Sequence, residues 1–75
     1  MKIKKISTHT AYEKYTGLRH VFEVYEKDAG APYYVILDGV FLTTAENVKE
    51  ATDEVLDTIK WYDWRRPWEV SNNEN

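Results

Sequence analysis

Residues 33–43 read YYVILDGVFLT, two runs of β-favouring residues on either side of an Asp-Gly pair. Asp38 and Gly39 both tolerate the positive φ angles that a type I′ turn requires, so the stretch predicts a β-hairpin with a two-residue loop. Such a loop pairs Leu37 with Val40 and sets the register of every pair beyond it.

The residues before the hairpin predict further strands. Residues 20–26 are rich in β-favouring residues and alternate well enough for another strand, and a turn-rich segment links them to the hairpin. The first 19 residues, which precede them, fit two structures. One is a strand that turns at Gly17 and places Tyr12 beside Val21, and the other is a single helical turn opened by a capping box at residues 10–13. We favour the strand.

Beyond the hairpin the apolar period changes, which predicts a helix from Ala45 to about Trp64. Residues 43–46 form a capping box with Thr43 as the N-cap, and Pro67 stops the helix. One helical face is apolar: Val48, Ala51, Thr52, Val55, Ile59 and Tyr62, with Leu56 at its edge. The predicted fold is a three- to four-stranded antiparallel β-meander packed against one C-terminal α-helix, a two-layer α+β arrangement.

Composition narrows the class of protein. The chain has 75 residues, a formal net charge of -3 and no cysteine, which excludes a disulfide framework and a thiolate metal site. No apolar stretch approaches the roughly 20 residues that a transmembrane helix needs. We expect a cytoplasmic protein with a single domain over residues 1–70 and a disordered polar tail over residues 71–75.

The hairpin is apolar on both faces, and one helix can cover only one of them. Alternation places one aliphatic set on the face that we assign to the helix: Val35, Leu37, Val40 and Leu42, with Tyr33. The opposite face carries Tyr25, Tyr34, Ile36 and Phe41, together with Val21 and Thr43. Contiguous exposed apolar surface is uncommon on monomers, so we expect the first four of these to mediate homodimerisation. The alternative is that the N-terminal segment, or Trp64 and Trp68, fold back over them.

The helix also has an acidic face opposite its apolar face, formed by Glu46, Glu50, Asp53 and Asp57, with Trp61 one turn beyond. Such a stripe is either solvated surface or a docking surface for a basic partner protein, such as a nucleic-acid-binding protein. Direct nucleic-acid binding is disfavoured by the negative net charge. We name the acidic stripe and Trp61 as candidate partner-binding residues.

Residues 61–68 contain four aromatic residues and two arginines. These are the residue types most often found as interface hot spots, which makes Trp64, Arg65, Arg66 and Trp68 further candidates for partner binding. The alternative is structural: the indoles cover the open end of a small core, and the arginines stack on them through cation-π contacts.

No active site is recognisable in the sequence. His9 and His20 lack the spacing of a metal site, and Ser7 and Ser71 have no evident base. The glycines are isolated turn residues rather than a phosphate-binding loop. We therefore predict a non-enzymatic protein without catalytic, metal or cofactor-binding residues.

Residues 33–47, a β-hairpin that runs into an acidic amphipathic helix, resemble the small orphan reading frames common in phages and mobile elements of Gram-positive bacteria. The resemblance implies a short acidic protein that acts by binding a host or defence protein, as anti-CRISPR proteins do. It brings no catalytic residues. The predicted function is a protein-protein interaction module, and the alternative is a small-ligand or nucleotide-binding protein that uses Tyr25, Tyr34 and Phe41 at a dimer seam.

Overall fold

The computed structural model describes residues 3–28, 30 and 32–72, with the backbone alone at residues 70–72. Its elements in chain order are β1 (Ile3–Tyr12), β2 (Arg19–Lys27), β3 (Tyr33–Leu37), β4 (Val40–Ala45), α1 (Val48–Tyr62) and α2 (Pro67–Asn72). The strands form one antiparallel sheet in the order β1-β2-β3-β4, and α1 packs across it, mainly on β3 and β4. The predicted α+β meander is confirmed, and α2 is an element that the sequence did not predict.

Neither α1 nor α2, the helices in the part of the chain that the structure describes, is long and apolar enough to span a bilayer. The predicted tail at residues 71–75 overlaps the last two residues of α2, and residues 73–75 lie outside the described residues.

The turn between β3 and β4 has the predicted geometry. Asp38 and Gly39 have φ angles of 52° and 82°, as a type I′ turn requires, and Leu37 pairs with Val40 across it. The Asp38 N–H donates to a β2 carbonyl oxygen at 2.8 Å, which also ties the turn to the neighbouring strand. The central hairpin is therefore confirmed.

A β-bulge shifts the register of β4 shortly after the turn. Ile36 pairs with Phe41 as predicted, but Val35 pairs with Thr43 rather than with Leu42. The extra residue places Thr43 on the helix side and leaves the Leu42 side chain 38% exposed. The prediction that Thr43 lies on the opposite face is therefore wrong, because alternation alone does not reveal an inserted residue, whereas Leu42 stays at the margin of the helix side, beside α1.

The N-terminal segment is a strand, as favoured, but its register differs from the predicted one. Tyr12 lies opposite Arg19 rather than Val21. The loop after β1 is longer than a tight turn: the Gly17 N–H donates to the Glu13 carbonyl oxygen at 3.1 Å, with Gly17 at a φ angle of 73°. The predicted juxtaposition of Tyr12 and Val21 is wrong because the loop spans residues 14–17 and is centred one residue before the predicted turn, which moves the pairing by two residues.

Helix α1 begins later than predicted, with Asn47 as its N-cap in place of Thr43. The Asn47 side-chain oxygen accepts the Glu50 N–H at 2.8 Å, and the Glu50 carboxylate accepts the Glu46 N–H at 2.6 Å. Residues 43–45 instead continue β4, where pairing with β3 satisfies their backbone groups. The sequence contains two capping boxes four residues apart, at residues 43–46 and 47–50. Because residues 43–45 pair with β3, only the second one caps the helix.

The core lies between α1 and the sheet. Its buried side chains are Ala11, Phe22, Val24, Val35, Ala45, Ala51, Val55 and Ile59. The predicted apolar face of the helix is therefore confirmed at its centre, whereas Val48 and Tyr62 at its two ends are about half exposed. The C-terminal end of this layer, near Tyr62, is where most of the exposed aromatic side chains gather.

Helix α1 stops at Asp63, which has the left-handed φ angle of 60° that usually belongs to glycine. The Asp63 N–H donates to the Lys60 carbonyl oxygen at 3.1 Å, and the Trp64 N–H donates to that of Ile59 at 3.0 Å. These two bonds form a Schellman motif, which reverses the chain and directs Trp64 back toward the sheet.

We expect Asp63→Gly to raise the free energy of unfolding by about 0.5–1 kcal/mol, because glycine adopts the left-handed conformation without a Cβ clash. Urea denaturation measures the change. Asp63→Ala is the control, since it removes the same carboxylate, 3.4 Å from the Lys14 ammonium, but keeps the Cβ atom. A glycine variant no more stable than the alanine variant would show that the left-handed backbone carries no strain.

Candidate functional site

His20 joins three parts of the chain at one end of the sheet. Its Nδ1 lies 2.6 Å from an Asp38 carboxylate oxygen, and its Nε2 lies 2.9 Å from one of Glu13. Asp38 also accepts the Val21 N–H at 2.9 Å, and Glu13 accepts the Thr16 hydroxyl at 2.6 Å. An imidazole donates to carboxylates from both nitrogens only when it is protonated, so this arrangement favours the cationic form of His20. We call Glu13, His20 and Asp38 the charged clamp.

The three charges of the clamp shift one another's pKa values. Burial of the imidazole acts to lower the pKa of His20, but the hydrogen bonds to Asp38 and Glu13 outweigh it and the pKa is raised. The Thr16 hydroxyl and the His20 imidazole lower the pKa of Glu13. Burial acts to raise the pKa of Asp38, but the bonds from His20 and the Val21 N–H lower it overall. The clamp holds the β1–β2 loop and the β3–β4 turn together through the two ring nitrogens. Because both nitrogens are engaged, neither is left for acid-base chemistry.

Trp64 covers the end of the core next to the clamp. Its ring stacks on His20 at a centroid distance of 3.9 Å and an angle of 7°, and on Tyr62 at 4.5 Å and 9°. It also contacts Phe22, a fully buried core residue, with centroids 6.1 Å apart. For Trp64 the geometry thus matches the structural alternative, in which an indole closes the core.

Arg65 and Arg66 hold the C-terminal segment against β1. Arg65 forms a two-bond backbone bridge with Tyr12, each N–H donating to the other residue's carbonyl oxygen at 2.7 Å. The Arg66 guanidinium lies 4.6 Å from the centroid of Trp68, the cation-π contact expected in the structural alternative. Both arginines are half-buried, whereas Trp68 is 59% exposed. Of the four, Trp68 therefore offers the largest exposed apolar surface.

The acidic face of α1 is exposed, but its members have different surroundings. Glu50 caps the helix, and Asp53 pairs with the Lys49 ammonium at 3.0 Å. Glu46 lies before the first turn and contributes only its backbone N–H to the cap. Asp57 forms no ion pair with any described residue. The stripe thus presents one accessible carboxylate near the C-terminal half of the helix.

Asp57 lies in a groove of about 300 Å³ beside the exposed Trp61. We call it the Trp61 groove, and it is lined by Leu42, Asp57, Thr58, Trp61 and Tyr62. The Trp61 side chain is 81% exposed, and its ring meets Tyr62 edge-on at 5.0 Å. The bulge in β4 is what makes Leu42 available as an apolar wall. An exposed indole, an apolar wall and a free carboxylate thus come together.

A second hollow of about 210 Å³ lies between the β1–β2 loop and the end of α1, lined by Glu13, Lys14, Tyr15, Thr16, Tyr62, Asp63 and Trp64. Its charges largely satisfy one another: Glu13 binds His20, and Lys14 lies 3.4 Å from Asp63. It therefore offers a ligand fewer free polar groups than the Trp61 groove does.

The residues predicted to mediate self-association share the sheet face turned away from α1; they are Tyr25, Tyr34, Ile36 and Phe41. The N-terminal segment extends the sheet as β1, and Trp64 stacks on His20 on the helix side, so among the described residues neither of these two covers this face as the alternative required. The first three are half-buried among their neighbours, whereas Phe41 is 58% exposed. The exposed apolar area is therefore concentrated on β4.

Comparison of the chain with known protein families, with curated proteins and with solved structures gave no significant match. Among the residues that the structure describes, no three carboxylate or imidazole side chains converge as ligands of one metal ion would.

Proposed function

We propose that the chain is a small non-enzymatic interaction module that binds a segment of a partner protein in the Trp61 groove. The observation that carries the proposal is the 81% exposure of Trp61 beside Asp57 and Leu42. Tryptophan and tyrosine are the residues most enriched among interface hot spots, and large exposed apolar side chains that cluster mark binding sites. The resemblance to phage and mobile-element proteins favours a host or defence protein as the partner.

The charge of the groove favours a basic partner segment. Asp57 is accessible, and the acidic face of α1 continues from it along the helix, in a chain with a net charge of -3. A lysine or arginine in the partner would meet Asp57, while an adjacent apolar side chain would pack against Trp61 and Leu42. An arginine could also stack on the indole, which adds a cation-π contact.

A selection from a random peptide library displayed on phage tests this proposal. We expect the wild-type protein to enrich peptides that carry lysine or arginine next to a large apolar residue. Trp61→Ala and Asp57→Lys should each weaken the binding of a selected peptide at least about tenfold, because truncated hot spots cost more than 1 kcal/mol. Isothermal titration calorimetry with the synthetic peptide measures the loss.

Trp68→Ala is the matched control, because it removes another exposed indole outside the groove. We expect it to bind the selected peptides as the wild type does. The proposal fails if the wild type enriches no peptide over the Trp61→Ala variant, or if all three substitutions weaken binding equally.

A further inference from the structure

The two edges of the sheet differ. The edge of β1 is closed at Tyr12 by the backbone bridge with Arg65, and α2 packs against the same strand. β4 forms the other edge, and no backbone segment of the described residues pairs with its outer side. An open edge strand presents N–H and C=O groups that can pair with a strand from another chain.

Apart from its β-bulge, β4 lacks most of the devices that usually protect an edge. Its sequence is VFLTTA, without a charged residue or a proline, and its first three side chains, Val40, Phe41 and Leu42, are 68%, 58% and 38% exposed. Natural proteins generally place lysine or proline on such a strand, or cover it. An uncharged, apolar open edge is a surface on which another strand can dock.

The register shows which backbone groups of β4 face outward. The Asp38 N–H donates to β2, and since direction alternates along a strand, Ile36 and Tyr34 also turn their backbone groups toward β2. Their partners across the β3–β4 ladder, Phe41 and Thr44, therefore turn their own backbone groups away from β3. Phe41 thus offers an N–H and a C=O to an incoming strand, and Thr44 offers an N–H and a C=O that also accepts the Thr43 hydroxyl at 3.4 Å.

We propose that the β4 edge takes up an extended segment of the partner as a fifth strand, with alternate side chains of that segment entering the Trp61 groove. Leu42 belongs to β4 and lines the groove, so a strand added beside β4 passes the mouth of the groove. Backbone pairing would supply affinity, and the groove would select the side chains. This inference rests on the proposed function and names its binding mode.

Charge identifies the occupant as a basic segment of another protein rather than a second copy of this chain. α1 packs on β3 and β4, so two copies joined edge to edge through β4 would bring their α1 helices side by side. Both helices carry the acidic face that ends at Asp57, and like charges facing each other oppose association. A basic strand meets the same charge favourably.

Backbone N-methylation of a selected peptide tests strand addition directly. Each residue of the peptide is N-methylated in turn, which removes one N–H and leaves the side chain in place. We expect every second substitution across the bound segment to weaken binding about tenfold, because a backbone hydrogen bond is lost and its partner is left unpaired. Substitutions between them should leave the affinity within about twofold, since their N–H groups point away from β4.

Hydrogen exchange on the full chain gives the second readout. The amides of Phe41 and Thr44 should exchange rapidly in the free protein and slow at least about tenfold when the peptide saturates it. The amide of Ile36, which already faces β2, is the internal control and should change little.

The outcomes separate this inference from the proposed function. Strand addition is wrong if N-methylation has no two-residue period, or if the Phe41 and Thr44 amides do not change, while Trp61→Ala still abolishes binding. Slow exchange of those amides without peptide, together with a dimeric mass by light scattering, would place a second copy on the edge and overturn it. If no peptide distinguishes the wild type from Trp61→Ala, the proposed function itself fails.

Discussion

The Trp64→Ala variant is expected to lose about 3 kcal/mol of unfolding free energy, near the low end of the range for large aromatic residues in cores. The substitution removes the ring that stacks on His20 and Tyr62 and uncovers the fully buried Phe22. A domain of this size has only about 4–11 kcal/mol in total, so the variant should be partly unfolded at modest urea concentrations. Equilibrium urea denaturation followed by circular dichroism measures the loss.

Trp61→Ala provides the matched comparison, since it removes the same side chain three residues earlier. With 81% of that side chain exposed, we expect its stability to stay within about 0.5 kcal/mol of the wild type. Trp64→Phe should recover part of the lost stability by restoring one stacked ring. Equal destabilisation by Trp61→Ala and Trp64→Ala would contradict the assignment of one indole to the core and the other to the groove.

The second large effect is expected at His20. His20→Ala should cost about 2 kcal/mol near pH 5.5, because it removes two hydrogen bonds to charged groups and a ring stacked on Trp64. Hydrogen bonds to charged groups contribute about 1.5–3 kcal/mol. The expected value lies toward the low end of that range because both carboxylates lie at the surface, where solvent screens them. Thermal and urea denaturation across a pH series measure it.

The sign of the pH dependence follows from the three shifted pKa values. The pKa of His20 is raised above 6.5, so its contribution is complete below pH 6.5 and is lost as pH rises through the folded-state pKa. The pKa values of Glu13 and Asp38 are lowered from 4.5 and 3.8, so their contributions are present above those values and are lost at lower pH. The clamp should therefore stabilise the fold most between pH 4.5 and 6.5.

His20→Phe separates the charge from the ring, because phenylalanine can still stack on Trp64 but cannot bind the carboxylates. The stability difference between wild type and this variant should be largest between pH 4.5 and 6.5 and should shrink at higher pH. His9, whose pKa is lowered by burial and by Arg66, acts in the opposite sense, but it is present in both proteins and cancels. A difference that does not change between pH 5.5 and 9 would rule out a charged clamp.

The elements of the fold that the sequence could predict are those set by local chemistry. The Asp38-Gly39 turn admits few conformations, and the regular spacing of Ala51, Val55 and Ile59 marks a helix face whatever lies opposite it. Both were predicted correctly because neither depends on knowing the tertiary contacts.

The errors arose where two local signals compete or where one residue is added. Thr43 and Asn47 each open a capping box, and only the pairing of β4 with β3 decides between them. The bulge near Leu42 cannot be recognised from periodicity in a run of apolar residues, although it moves Thr43 to the helix side. These choices are made by tertiary structure, which a single sequence does not reveal.

The candidate site was predicted in part. Trp61 and Asp57 were correctly placed together on one helix face, because helical periodicity determines that relation. Helical periodicity could not show that Asp53 pairs with Lys49 while Asp57 forms no ion pair with a described residue, since that depends on side-chain conformation. The charged clamp was missed altogether, because His20 and Asp38 meet only once the register between β2 and β3 is known.

The bridge between Tyr12 and Arg65 can form only late in the synthesis of the chain. β1 to β4 emerge from the ribosome in the order in which they pair, so each strand finds its neighbour soon after synthesis. Arg65 emerges only after all four strands and α1. Until then both edges of the nascent sheet, including the end of β1 at Tyr12, are open to pairing with other strands.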